Sequence, residues 1–202
     1  MILKAEQIAN LIEAGKTTKD PLAIAPQPDL TDLRSSGSAS LDLRLGTWFA
    51  VPRQSRIGVF DIAKVSQNTY ESEHTEMHYI PFDSTYILQP RSFVLGVTLE
   101  WIRLPKNLAG YVTARSSWGR RGLIIATAVG VHPGFTGCLS LELSNVGEIP
   151  IALHPGMAIC QFFIHEVRGE SDCVDKSRFV GFRRPILGPI ELDEIAKKLG
   201  NK

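Results

Sequence analysis

Residues 138–145, CLSLELSN, decide how this chain is read. Alternation puts Leu139, Leu141 and Leu143 on one face of an extended segment and Cys138, Ser140, Glu142 and Ser144 on the other. The leucine face belongs in a core, so Glu142 points with small polar side chains toward water or a cleft. Outward from this segment, Leu41, Leu43 and Leu45 alternate with Asp42 and Arg44 to give a second half-buried strand over Ser40–Leu45. With Cys138–Leu143 as the reference strand, further strands are predicted at Trp48–Val51, Val59–Ile62, Tyr86–Leu88, Phe93–Val97, Ala109–Thr113, Ile151–Leu153 and Ile159–Ile164. Gly and Pro separate them at short intervals. Many short strands so spaced make a mainly β protein, a sandwich or a distorted barrel.

Two short helices frame the strands. Ile8, Leu11 and Ile12 have helical spacing over Ala5–Ala14, which ends at Gly15, and LDEIAKKL at Leu192–Leu199 reads as a C-terminal helix. Between Thr17 and Ser38 the prolines at 21, 26 and 28 and Gly37 predict loop or edge structure. The 202 residues fit one domain spanning 1–202, with 169–202 as a tail. A net charge of +1 gives no global electrostatic case for nucleic acid or a membrane surface as partner. Lys4, Glu6 and Glu13 break up the N-terminal segment, which does not read as an export signal, and no apolar run reaches about 18 residues. Cys138, Cys160 and Cys173 are odd in number and widely spaced, so reduced thiols in the cytoplasm are expected.

The polar chemistry concentrates upstream of the reference strand. Arg115, Ser116, Ser117 and Arg120 bring guanidinium forks and hydroxyls together between the apolar tracts Tyr111-Val112 and Leu123-Ile124-Ile125. Such donors match phosphate oxygens, alone or around a bound magnesium ion. Gly119 and Gly122 would let backbone amides approach a phosphate. Glu142, downstream, is a candidate general base or acid, set against the plainer reading of an exposed strand glutamate. His132 lies in the turn VHPGF. His74 and His78 have helical spacing in a stretch with no clear helix. His74-Thr75-Glu76 matches the H-x-E half of the zinc deaminase pattern, whose P-C-x-x-C half is missing, so no zinc site is expected.

Taken together, ARSSWGRRGL (114–123), HPGFTGCLSLELSN (132–145) and IPIALHPGMAICQ (149–161) resemble the dCTP deaminase family within the trimeric dUTPase-like fold. Ser38–Gly46 and Phe93–Pro105 resemble that family's strands as well. The resemblance implies a jelly-roll-like β fold, a homotrimer with sites between subunits, and hydrolysis of dCTP to dUTP and ammonia. Glu142 matches the family's catalytic glutamate, while Ser116 and Arg120 would position the water and that carboxylate. Arg115 and Ser117 would lean toward phosphate, with Trp118 and Gly119 in the same substrate-binding loop. Ser140 and Leu141 would flank the substrate beside Glu142, and Gln161 matches a polar residue that reaches a neighbouring site. Magnesium would arrive with the triphosphate rather than in a protein cage.

Two departures from the family pattern bear on chemistry. His132 stands where the family usually has Asp in I-D-P-G, an aspartate that in the related dUTPases activates the water cleaving the phosphate chain. Its loss argues against a dUTPase and against a bifunctional, dUMP-forming enzyme, although an imidazole can still meet the sugar 3′-hydroxyl. The closing Lys-Tyr-x-Gly-Gln type segment is replaced by SRFVGFRR at 177–184, where Arg178 is the candidate phosphate ligand and Phe182 lacks the glutamine's hydrogen bonds. That stretch reads as a lid over bound nucleotide. The alternatives are another hydrolase of the same fold and a non-catalytic nucleotide-binding regulator, which His132 and Phe182 keep in play.

Overall fold

The computed structural model describes residues 1–15, 17–53, 75–127, 130–169 and 181–188, with the isolated positions 194, 195 and 198. In chain order its first elements are α1 (Ala5–Ala14), β1 (Ala23–Ala25), α2 (Leu30–Ser35), β2 (Leu41–Arg44), β3 (Trp48–Pro52) and β4 (Thr75–Tyr79). Next come β5 (Tyr86–Leu88), β6 (Phe93–Val97), β7 (Trp101–Arg103), β8 (Leu108–Ala114), the short helix α3 (Ser116–Gly119) and β9 (Leu123–Ile125). The series closes with β10 (Gly130–Val131), β11 (Thr136–Gly137), β12 (Ser140–Asn145), β13 (Ile151–Leu153) and β14 (Ala158–Glu166).

Among these residues all the strand pairings are antiparallel. Two sheets dominate, one in the order β4-β3-β6-β12-β9 and the other β10-β8-β14-β2; β1-β7-β11 and β13-β5 complete them. The larger sheets share one apolar cluster, to which β12 sends Leu141 and Leu143 while β2 and β14 send Leu43 and Phe162, all fully buried. This is the mainly β architecture expected from the alternation. Gly110 on β8 is required by that packing, because a Cβ there would stand 2.4 Å from the ring of Phe162. The buried Glu100 accepts from the Arg44 backbone N–H (2.8 Å) and Nε (2.6 Å), a compensated carboxylate.

Strands β5, β6 and β13 form with the expected bounds. Helix α1 does too, but its buried face is Ala5, Ile8, Ala9 and Ile12, and Leu11 is exposed. The Thr17–Ser38 stretch is not all loop: it holds the edge strand β1 and helix α2. Asp29 explains α2, since its carboxylate accepts from the N–H groups of Thr31 (2.8 Å) and Asp32 (3.2 Å), an N-cap followed by the buried Leu33. His78 lies on β4, not on a helix. The strand expected at Val59–Ile62 and the residue His74 lie outside the described residues, as does most of Leu192–Leu199, whose positions 194, 195 and 198 are helical. Among the described residues no helix is long and apolar enough to cross a membrane.

Candidate active site

Strand β12 sits between β6 and β9, so its backbone is held on both edges. Glu142 pairs with Leu95, its N–H donates to Thr127 Oγ1 (3.0 Å), and its carbonyl accepts from the Ala126 N–H (2.9 Å). Its burial pattern alternates as the sequence requires: Leu141 and Leu143 are buried, and Ser140, Glu142 and Ser144 are half-buried. The polar face opens into a cleft of about 310 Å³. The cleft is walled by apolar side chains from several elements, among them Phe93, Leu95, Val112, Phe135, Leu139 and Phe182. His132, Cys138, Ser140, Thr127 and Glu142 supply its polar groups. Glu142 is the one carboxylate among the described lining residues. Burial pushes its carboxyl above the ordinary carboxylate value, because a charge there loses water that nothing replaces. Burial also lifts the Cys138 thiol to about 11, so it stays protonated and is no nucleophile at neutral pH.

The loop carrying Arg115 to Arg120 is elsewhere. None of its residues lines the cleft, so the expectation that Arg120 stands beside Glu142 does not hold within one chain. Sequence proximity misleads because β8 leads the loop to the β14–β2 edge of its sheet, while Glu142 lies on the other large sheet. Arg115 Nη1 donates to Asp42 on β2 (2.9 Å), and Ser116, Ser117 and Arg120 are exposed. Trp118 is the anchor: its indole packs on the core and donates to the Ala158 carbonyl (2.8 Å), so its side chain does not face open space. Gly119 has that space, since a Cβ there would meet nothing within 4 Å. Gly122 serves a different purpose from phosphate approach. Its φ is +90° and a Cβ would lie 2.9 Å from the Gly147 nitrogen, so it is a turn and packing glycine.

Of the other expected residues, His132 and Ser140 line the Glu142 cleft. His132 opens a tight turn in which the Phe135 N–H donates to its carbonyl (3.2 Å) and Gly134 takes φ +78°. Leu141 is fully buried on the core face, so its side chain takes no part in the cleft. Gln161 pairs with Asp42 across β14 and β2, and its Nε2 lies 3.4 Å from Ser40 Oγ, on the side of the Arg115 loop. Arg178 lies outside the described residues. The residues missed from sequence are Thr127, which fixes the Glu142 backbone, and the apolar wall. Only part of the wall had a trace in the sequence, since Phe93 and Leu95 alternate onto one apolar face of β6. Among the described residues no group of three or more His, Cys, Asp or Glu is arranged to hold a metal ion.

A two-sheet β fold whose half-buried strand glutamate lines a largely apolar cleft, with an arginine–serine loop outside that cleft, defines the class, and comparison with known proteins agrees with it. A family model described as dCTP deaminase-like matches residues 2–167, and the chain belongs to that family. The dUMP-forming dCTP deaminase of Dictyoglomus thermophilum is 36% identical over 173 residues, 85% of this chain and 84% of its own. The protein of that name from Persephonella marina is 32% identical over 195 residues, 96% and 99% of the two chains. A Thermomicrobium roseum relative named simply dCTP deaminase is 35% identical over 169 residues, 83% and 80%. The crystal structure of the 2′-deoxycytidine 5′-triphosphate deaminase of Agrobacterium tumefaciens aligns with a TM-score of 0.58 at 22% identity, over 81% of this chain. This chain spans 46% of the length of that one, and the likeness establishes the distorted jelly-roll fold.

Proposed function

We propose that this protein hydrolyses dCTP at C4, releasing ammonia, with Glu142 as the proton carrier. The observation that carries the reading is the placement of Glu142: a strand carboxylate with a raised pKa, held in a cleft that is otherwise apolar. Water must add to C4 while N3 gains a proton; the tetrahedral adduct then expels ammonia, leaving a carbonyl. Glu142 takes the proton from the attacking water and delivers it to N3; it then takes the proton of the C4 hydroxyl in the adduct and passes it to the amine, which leaves as ammonia while the C4 carbonyl forms. A carboxyl raised above its ordinary value is a better base than an unperturbed one, and such positioned transfer contributes about 10²–10⁴-fold. His132, at the rim, is suited to meet the sugar 3′-hydroxyl, and Ser140 to meet the base edge.

The triphosphate would lie on the Arg115–Arg120 loop with Ser116 and Ser117. Since no residue of that loop lines the cleft in one chain, a site holding both is built between chains, in the homotrimer that the family resemblance implies. Gln161, on the loop side, then reaches the neighbouring cleft. Guanidinium and hydroxyl groups are ligands for phosphate rather than for a cation, so magnesium fits as a companion of the triphosphate, where it would neutralise phosphate charge. Residues 1–202 would act as one domain, with 169–202 as its tail, in the reducing cytoplasm where Cys138 and Cys160 stay free.

The product proposed is dUTP, because His132 offers no carboxylate to activate a second water and Glu142 is the only carboxylate among the described lining residues. The names of the Dictyoglomus and Persephonella relatives favour the second reading, in which dUMP is released. Incubation with dCTP and magnesium, following ammonia and separating the nucleotides, decides between them. Ammonia with dUTP supports the first reading, and ammonia with dUMP and pyrophosphate the second. Bound dCTP with no ammonia would overturn both and leave a nucleotide-binding regulator.

A further inference from the structure

Past β14 the chain returns across its own cleft. The Gly181 N–H donates to the Thr136 carbonyl (2.7 Å) and the Phe182 carbonyl accepts from the Cys138 N–H (3.0 Å), two rungs that add residues 181–182 to the edge of the β11–β12 connection. The segment then places Phe182, Ile186 and Leu187 in the cleft and buries Pro185. Two rungs are little to hold eight residues against solvent. Aromatic contacts fasten it as well: the guanidinium carbon of Arg183 sits 4.8 Å from the Trp101 ring centroid, and that of Arg184 sits 3.9 Å from the Trp48 centroid. Trp101 is on β7 and Trp48 on β3, so the strap is stapled to two different sheets.

We propose that Arg183 and Arg184 are positioning residues, latching segment 181–188 onto Trp101 and Trp48 so that Phe182, Ile186 and Leu187 complete the wall of the Glu142 cleft. The proposal rests on the reading of that cleft as the deamination site. It also separates these arginines from phosphate binding: both guanidinium planes are committed to indoles, and neither arginine lines the cleft. Planar guanidinium is suited to this, because it stacks on an aromatic face while its edge stays hydrated. With the wall closed, Glu142 loses water and its carboxyl stays raised. With the wall open, water returns and the carboxyl falls back toward its ordinary value. The other titratable groups lining the cleft are His132 and Cys138, and Arg183 acts on the Cys138 thiol by lowering its pKa against the effect of burial.

The test compares the intact protein with R183A/R184A and with R183K/R184K, since both arginines are exposed and the folded core does not depend on them. Without nucleotide, R183A/R184A should change tryptophan emission, because two of the three indoles lose a stacked cation. With dCTP and magnesium its kcat/KM should drop about tenfold, two stacks being lost together, and the acid limb of its pH profile should move to lower pH. R183K/R184K keeps a cation over each ring and should recover most of both readouts. Unchanged emission in R183A/R184A would overturn the latch. Changed emission with kcat/KM and acid limb as in the parent would overturn the wall. If the parent itself releases no ammonia, the function proposed above fails, and emission still decides whether the latch exists.

Discussion

The cleft around Glu142 and the loop Arg115–Arg120 carry comparable amounts of chemistry in opposite physical settings. The cleft is apolar, enclosed by its own chain, and holds a carboxylate that no cation among the described residues touches. The loop is exposed and cationic, and its one tethered guanidinium is paired with Asp42 at the surface. The first setting changes proton affinity and the second suits an anion; neither does both. Low dielectric strengthens electrostatics only where water is excluded, so the catalytic carboxylate belongs in the cleft, and strongly hydrated phosphates belong at an open edge. Under the proposed function the two must act together, so the proposal makes one chain half a site.

The sharpest way to break this contrast is Glu142→Gln. Turnover should fall by about 10²–10⁴-fold, while dCTP affinity, measured by equilibrium binding, stays near the parent value. A near-normal rate would remove the cleft from the chemistry. In the parent, kcat/KM should be lost as pH falls through a value above the ordinary carboxylate 4.5, because burial raises the Glu142 pKa and only its charged form accepts the proton from water. An acid limb at or below that value would mean that burial does not reach the reacting carboxyl.

Next in size is the strut between the two regions. Asn145 ends β12, is fully buried, and spends its amide on the carbonyls of Leu88 (3.0 Å) and Ile149 (2.9 Å), while its Oδ1 accepts from the Gly147 N–H (2.9 Å). Gly147 packs on Gly122, the last turn of the loop, so this side chain ties loop to strand. Asn145→Ala strands three backbone groups and should cost about 3 kcal/mol in denaturant unfolding. A cost under about 1 kcal/mol would show that the turn holds without it.

How far the contrast could be read in advance follows from the range of the interactions. Alternation is local, and it placed Leu141, Glu142 and Leu143 on their correct faces and set the bounds of β5, β6 and β13. Helix α2 was hidden because three prolines outweighed one Asp29 cap, though that cap was visible. The association of Arg120 with Glu142 is not met within one chain, for a different reason. The loop leaves β8 in one large sheet and rejoins the other at β9, beside β12, but its side chains are held at the β14–β2 edge, where Arg115 meets Asp42 and Trp118 meets Ala158. The contacts of Arg183 and Arg184 were not legible, because they find Trp101 and Trp48 only in three dimensions.

Arg120→Ala tests the loop half directly. Removing a guanidinium from a charge-assisted contact should cost about 2 kcal/mol of kcat/KM, roughly thirtyfold. The more informative experiment unfolds and refolds Glu142→Gln together with Arg120→Ala in equal amounts. If cleft and loop come from different chains, mixed assemblies contain some sites with both residues intact, and about a quarter of parental activity should return. No recovery in assemblies shown to be mixed would place both groups in one chain's site and undo the comparison.

The smallest effect belongs to Asp42→Asn, and its smallness is the point. The Arg115–Asp42 pair is exposed on both sides, with 34% and 43% of the two side chains accessible, so its loss should change stability by no more than about 0.5 kcal/mol. Removing a negative charge beside a triphosphate should nonetheless tighten dCTP, lowering KM about twofold at low salt, and the gain should vanish as ionic strength shortens the range of the charge. A large stability loss would mean that Asp42 holds the loop in place. A rise in KM would mean that it presents Arg115 to the phosphates, making the surface pair part of the anion site rather than a competitor for it.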